Sequence, residues 1–187
     1  MADQGTEGLL SPWLRSVRIK AAIPHLQGKI LDYGCGSGSL AEHVEAEPYL
    51  GVEMDTVSLG LARTRFPSHS FSSDLPENIR NFDTIVSLAV IEHVDDPLEF
   101  LRNLSKYLID SNNAKIVITT PYPAVRLAHY LGAVVGVFSK HGNKEHQDLL
   151  NKNKLRTFGD LAGLTPIYYQ RFLFSADQIA VFKKEVL

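Results

Sequence analysis

An acid two residues ahead of three alternating glycines is the part of this chain most able to do chemistry. Asp32 precedes Gly34, Gly36 and Gly38 in the run ILDYGCGSGSL, with Cys35 between the first two glycines. Glycine at this spacing lets a backbone turn tightly and approach a ligand, and a helix starting behind it offers N–H groups with no internal partner. Glu53 ends the next predicted strand, about 20 residues on, where a carboxylate can accept from both hydroxyls of a ribose. Together they describe a pocket for a nucleotide-like ligand, although a turn that uses glycine only for geometry reads the same at any one position. Gly36, Gly38 and Ala41 also satisfy G-x-G-x-x-A, one form of a dinucleotide fingerprint. Asp32 weighs against that version, because a carboxylate inside the strand before the turn repels a pyrophosphate and is costly to bury unpaired. A cationic ligand without phosphate suits it better.

Two histidine-bearing stretches follow. Glu92-His93 comes after a predicted strand, and HGNKEHQD holds His141, Glu145 and His146. Imidazole exchanges protons near neutral pH, so His93 and His146 are the candidate catalytic bases, His93 first. The alternatives are a Glu-His pair that caps a strand end and a plain polar loop.

Positioning these residues takes an alternation of elements. Trp13, Leu14, Val17, Ala21 and Leu26 recur at helical spacing after Ser11-Pro12, so a helical cap over residues 1–27 precedes the first strand. Strands are expected at Lys29–Tyr33, Tyr49–Met54, near His69–Ser72, at Phe82–Leu88 and at Lys115–Thr120. Helices are expected at Ser39–Glu45, at Thr56–Arg65 behind an Asp55 cap, and at Pro97–Leu108. The strands are short apolar runs, as in a parallel sheet covered on both faces. Beyond Pro121 the pattern predicts an apolar helix at Ala124–Phe138, a helix at Asp148–Leu161, and two strands, Pro166–Phe174 and Gln178–Lys183, joined through Ser175-Ala176-Asp177. The expected architecture is a single α/β domain over residues 1–187, with 122–147 as a lid-like insertion. Residues 122–138 suit a lid, a core helix, or contact with a membrane surface or lipid-like acceptor.

A chain of 187 residues with 44% hydrophobic content can fill one substantial core. The formal net charge of -2 supplies no general field for a nucleic-acid backbone, which makes nucleic acid an unlikely partner. One cysteine cannot form an internal disulfide, and the N-terminus has no signal-peptide pattern, so the expected location is the cytoplasm. Nothing in the pattern fixes an oligomeric state.

LDYGCGSG resembles the first motif of class I methyltransferases, GVEMD (Gly51 to Asp55) their second, and FDTIVSLAVIEHVDDP (Phe82 to Pro97) their fourth-strand motif. The resemblance runs from about Leu26 to the C-terminal hairpin. It implies a Rossmann-like seven-stranded sheet, mostly parallel with an antiparallel last strand and helices on both faces, and S-adenosylmethionine as cofactor, whose sulfonium and ammonium suit Asp32. It further implies that Met54 packs on the adenine, that Asp74 accepts from the adenine amino group with Leu75 beside the ring, and that Ser87, Leu88 and Ala89 present carbonyls to the ammonium. A turn or cap role before Pro76 is the other reading of Asp74. The expected reaction is methyl transfer to a small-molecule or conjugated-metabolite acceptor, more at oxygen than at nitrogen or carbon, with a loose likeness to enzymes acting on quinone precursors. Glu92-His93 also resembles enzymes that methylate the terminal ribose of small RNAs with a metal ion. Those carry another acid three residues before the Glu, where this chain has Ala89, and no metal is assigned. A catalytically silent cofactor-binding module and a nicotinamide oxidoreductase complete the alternatives.

Overall fold

The computed structural model describes residues 11–77, 81–123 and 150–184. Strands β1 Ile30–Tyr33, β2 Tyr49–Val52, β3 Ser70–Ser72, β4 Thr84–Leu88, β5 Lys115–Pro121, β6 Leu164–Phe172 and β7 Asp177–Lys184 form one sheet. Their order is β3-β2-β1-β4-β5-β7-β6. The first five pair in parallel, and β7 runs antiparallel to both β5 and β6. The strand order changes direction between β1 and β4, and in open α/β sheets the crevice beyond the strand ends at such a point is where ligands bind.

Successive residues of the central strands are buried on opposite faces. Leu31, Ile85, Ile116, Ile118 and Phe182 pack with Phe100, Leu101 and Leu104 of α3 (Pro97–Ser105) and with Leu155 of α4 (Lys152–Leu161). Ile30, Val86, Val117, Ile179 and Val181 pack with Ile19 and Ala22 of α1 (Ser11–Ala22). Each fully buried aliphatic side chain contributes about 1.5–3 kcal/mol. Stability is therefore concentrated in the middle of the sheet, and the loops at its ends are left to be shaped for binding.

Side-chain caps start the helices where polar residues precede apolar spacing. Asp55 accepts from the Ser58 N–H at 2.8 Å ahead of α2 (Thr56–Arg65), and Asp96 accepts from the Leu98 and Glu99 N–H groups ahead of α3. Asn151 accepts from the Lys154 N–H, so α4 begins at Lys152 and not at Asp148. The helix expected at Ser39–Glu45 is a 3-10 segment, Ser39–His43. Few residues separate the glycine turn from Pro48 and β2, and 3-10 geometry suits such short pieces. β2 stops at Val52, leaving Glu53 and Met54 beyond the strand, although the Glu53 N–H still donates to the Ser72 carbonyl at 3.0 Å. α3 ends at Ser105, short of Leu108. The hairpin turn also lies earlier than expected: Leu173, Phe174 and Ser175 take left-handed backbone angles, and Asp177 is the first residue of β7. The expected helix at 124–138 lies outside the described residues, as do 141–146.

Candidate functional site

A cavity of about 620 Å³ opens at the carboxyl ends of β1, β2 and β4 and under α1. Its volume is in the range of small-molecule sites. Asp32, Gly34, Cys35, Gly36, Glu53, Met54, Leu88, Ala89 and His93 all line it. Asp32 is buried, and the Tyr49 hydroxyl donates to its Oδ2 at 2.8 Å. Burial pushes the Asp32 carboxyl up to about 7; the Tyr49 hydrogen bond opposes this and the nearby Glu53 adds to it. A cation entering the cavity would restore the ionised form.

Glu53 has a second use that its sequence position does not reveal. Its Oε2 accepts from the Gly36 N–H at 3.0 Å and its Oε1 from the Asp55 N–H at 2.8 Å. The carboxylate thus braces the glycine turn against the start of α2. Each oxygen has further accepting capacity for a ligand hydroxyl. Gly34 has φ of 77°, and a Cβ there would stand 2.4 Å from Val90 Cγ2, so the turn and the loop after β4 approach as closely as glycine permits. The Cys35 thiol is buried and pushed up by burial and by Asp32, which leaves it unreactive.

Other predicted residues stand elsewhere. Gly38 does not line the cavity; a Cβ there would meet Phe71, Ala62 and Phe66, so its role is close packing of the turn on α2 and β3. Asp74 is exposed and outside the lining, with its Oδ2 accepting from Ser73 Oγ at 2.6 Å. Leu75 packs against the core. Ser87 is fully buried within β4, its Oγ without a partner, while Leu88 and Ala89 reach the cavity. Ala89 has φ of 58°, an uncommon angle for a residue with a Cβ, and its N–H donates to the Thr119 carbonyl at 2.9 Å. Met54 lines the cavity and is 72% exposed. His93 is exposed at the rim, and burial of part of its ring together with Arg18 holds the imidazole below its usual range. His146 lies outside the described residues.

The contribution of α1 is absent from the expectations drawn from sequence. Arg15 Nη1 donates to Ser37 Oγ at 3.0 Å and Ser39 Oγ at 3.1 Å, which ties α1 to the glycine turn. Arg18 Nε donates to Asp177 Oδ2 at 2.6 Å, which ties it to β7. Both arginines line the cavity. Their three-residue spacing on a predicted helix was the available signal, since it puts two cations on one face. The cavity therefore presents carboxylates and guanidinium groups together, a set that matches a zwitterionic amino-acid end as well as a ribose.

Residues 11–169 match the family described as a methyltransferase domain. The chain is 25% identical over 169 residues to the ubiquinone biosynthesis O-methyltransferase of Ruegeria sp. (strain TM1040), covering 84% of this chain and 68% of that one. It is 24% identical over 162 residues to the enzyme of that name from Aliivibrio fischeri (strain ATCC 700601 / ES114), covering 75% and 68%. Among solved structures, magnesium protoporphyrin IX methyltransferase from Synechocystis PCC 6803 with bound SAH superposes with a TM-score of 0.71 at 15% identity, over 97% of this chain and 90% of that chain. The methyltransferase in a Haloferax volcanii complex with the Trm112 activator superposes at 0.73 and 15% identity, over 97% and 94%. With the sheet order, the glycine turn and the family match in agreement, the chain belongs to the methyltransferase domain family, the class I enzymes that take their methyl group from S-adenosylmethionine.

Proposed function

We propose that this enzyme methylates an oxygen of a small-molecule or conjugated-metabolite acceptor. The observation that carries the reading is the grouping of charges in the cavity lining. Glu53 acts on Asp32 beside the glycine turn, and Arg18 acts on both Glu92 and His93. The relatives named as O-methyltransferases support oxygen over nitrogen or carbon. When bound, the cofactor supplies a methyl group on a sulfonium, and in-line displacement then depends mainly on positioning. Asp32 meets the ammonium, Glu53 the ribose hydroxyls, Met54 the adenine face, and Leu88 and Ala89 offer carbonyls beside the amino-acid end. Asp74 and Leu75 stay in the proposal as adenine contacts that require the loop after β3 to close inward. His93, neutral at pH 7 and exposed at the rim, is the first candidate base for the acceptor's proton, and His146, outside the described residues, is the second.

Among the described residues no helix is long and apolar enough to cross a membrane. The cytoplasmic location, the one-domain organisation and a lipid-like acceptor for 122–138 belong to this proposal. Only Tyr122 and Pro123 of that stretch are described, with Arg171 lying over the Tyr122 ring at 4.5 Å.

Incubating the enzyme with methyl-labelled S-adenosylmethionine and matched phenols, amines and short RNAs tests the reading. Labelled methyl ethers are expected, and labelled amines or RNA alone would sink it. Alanine at Glu53 is expected to weaken S-adenosylhomocysteine binding by about 1–3 kcal/mol in calorimetry, since buried polar groups lose their partner. An unchanged dissociation constant removes Glu53 from the ribose site.

A further inference from the structure

Asp32 reaches the cavity with one of its two oxygens already engaged. The Tyr49 hydroxyl donates to Oδ2 at 2.8 Å, and Tyr49 and Asp32 are 4% and 2% exposed. Oδ1 has no hydrogen-bond partner among the described residues and is not one of the oxygens sealed from solvent, so its open surface is the part of the carboxylate that lines the cavity. A ligand N–H meets Oδ1, not Oδ2.

The register of the sheet makes this contact. Tyr49 pairs with Ile30 and Gly51 with Asp32, so Tyr49 lies diagonally from Asp32 on one face, and Gly51 puts no side chain between them. The Tyr49 ring is packed edge to face with His69 at 5.4 Å and with Phe71 at 5.8 Å. A phenol so held has little freedom to turn away. Burial, and after it the Asp32 charge, push the Tyr49 hydroxyl far up, so it remains a donor at any working pH. Glu53 beyond β2 opposes a charge on Asp32, the Cys35 thiol of the glycine turn lies within its reach, and β4 sets Val86 beside it. Arg15 and Arg18 of α1, with Glu92 and His93 beyond β4, line the same cavity.

We propose that Tyr49 is a positioning residue for the cofactor: by holding Oδ2 it turns Oδ1 toward the cavity and keeps the carboxylate charged for the ammonium that meets it there. This rests on the reading of Asp32 given above. A hydrogen bond to an ionised acceptor is about twice as strong as one to a neutral group, so loss of the donor favours the uncharged acid. The uncharged acid is a poor partner for a cation.

Calorimetry of S-adenosylhomocysteine binding to the full chain from pH 5.5 to 8 tests this with Tyr49→Phe, which removes one oxygen and keeps the ring. The pH at which affinity climbs should move up by about one unit. The variant should bind about fivefold or more weakly at pH 6.5 and come within about twofold of wild type at pH 8. In Asp32→Asn protein, which has no carboxyl there to ionise, adding Tyr49→Phe should change affinity by less than about twofold. If Tyr49→Phe does not melt cooperatively, 3-fluorotyrosine at position 49, a stronger donor of nearly the same size, must move the climb to lower pH. A loss of equal size at every pH, an unmoved climb, or an equal loss in the Asp32→Asn background overturns the proposal. A wild-type protein that ignores S-adenosylhomocysteine at every pH strikes the methyl-transfer reading instead.

Discussion

Replacing Asp32 by asparagine is expected to make the protein more stable and poorer at binding its cofactor. Asp32 is buried, and its carboxyl is raised from an ordinary 3.8 to about 7. An acid raised on folding contributes stability that is complete below its unfolded value and is lost as pH climbs through the folded value. The window here runs from about pH 4 to 7, and at about 1.4 kcal/mol per pH unit the full loss is about 4 kcal/mol. The substituted amide would still accept from the Tyr49 hydroxyl but would not ionise. Asp32→Asn should therefore stabilise by about 2–4 kcal/mol at pH 8 and by little at pH 4. Urea unfolding at both pH values measures this, and equal effects at the two would contradict it. Binding should move the other way. Wild-type affinity for S-adenosylhomocysteine should rise about tenfold from pH 5.5 to 7 as Asp32 ionises while the ligand's amino group stays protonated. The variant should bind weakly with a flat profile, which separates Asp32 from Glu92, a group that titrates in the same range.

Arg18→Ala should destabilise the protein by about 2–3 kcal/mol at pH 8. Asp177 is 2% exposed and its partner Arg18 19%, so the loss lies below the ~3–5 kcal/mol seen when a fully buried pair is broken. Burial raises the Asp177 carboxyl, and Arg18 pulls it back down. Without the guanidinium the folded value climbs further, and the penalty is felt only where the unfolded acid is ionised. The loss should therefore shrink as pH falls toward 4, where the unfolded acid begins to take up its proton as well. Asp177→Asn in the Arg18→Ala background should recover most of it, as a double-mutant cycle can show. A loss that is the same at both pH values would mean that the packed stem of Arg18 matters and its charge does not.

Much of the fold was legible because it depends on local patterns. Apolar runs such as Ile116–Ile118 mark strands buried on both faces, and Asp55 and Asp96 mark helix starts by the chemistry of their own side chains. The glycine turn, Asp32 and Glu53 were legible because their spacing repeats a backbone geometry. Asp177 was not. Asp is common in turns, and nothing nearby marks it as the partner of a residue 159 positions away. Gly38 shows the same limit: its place in the glycine run resembles that of Gly34 and Gly36, yet it faces Phe66 and Phe71 and packs helix on strand.

Sequence alone determined the alternation of elements, the tight turn and the acids beside it, since each follows from neighbours within a few bonds or one helical turn. The tertiary structure decided what those groups experience: burial and Tyr49 set the proton affinity of Asp32, backbone N–H groups occupy Glu53, and α1 and β7 bring Arg18 and Asp177 to Glu92. Desolvation and ion pairing depend on which distant segments meet, and only the folded sheet sets that.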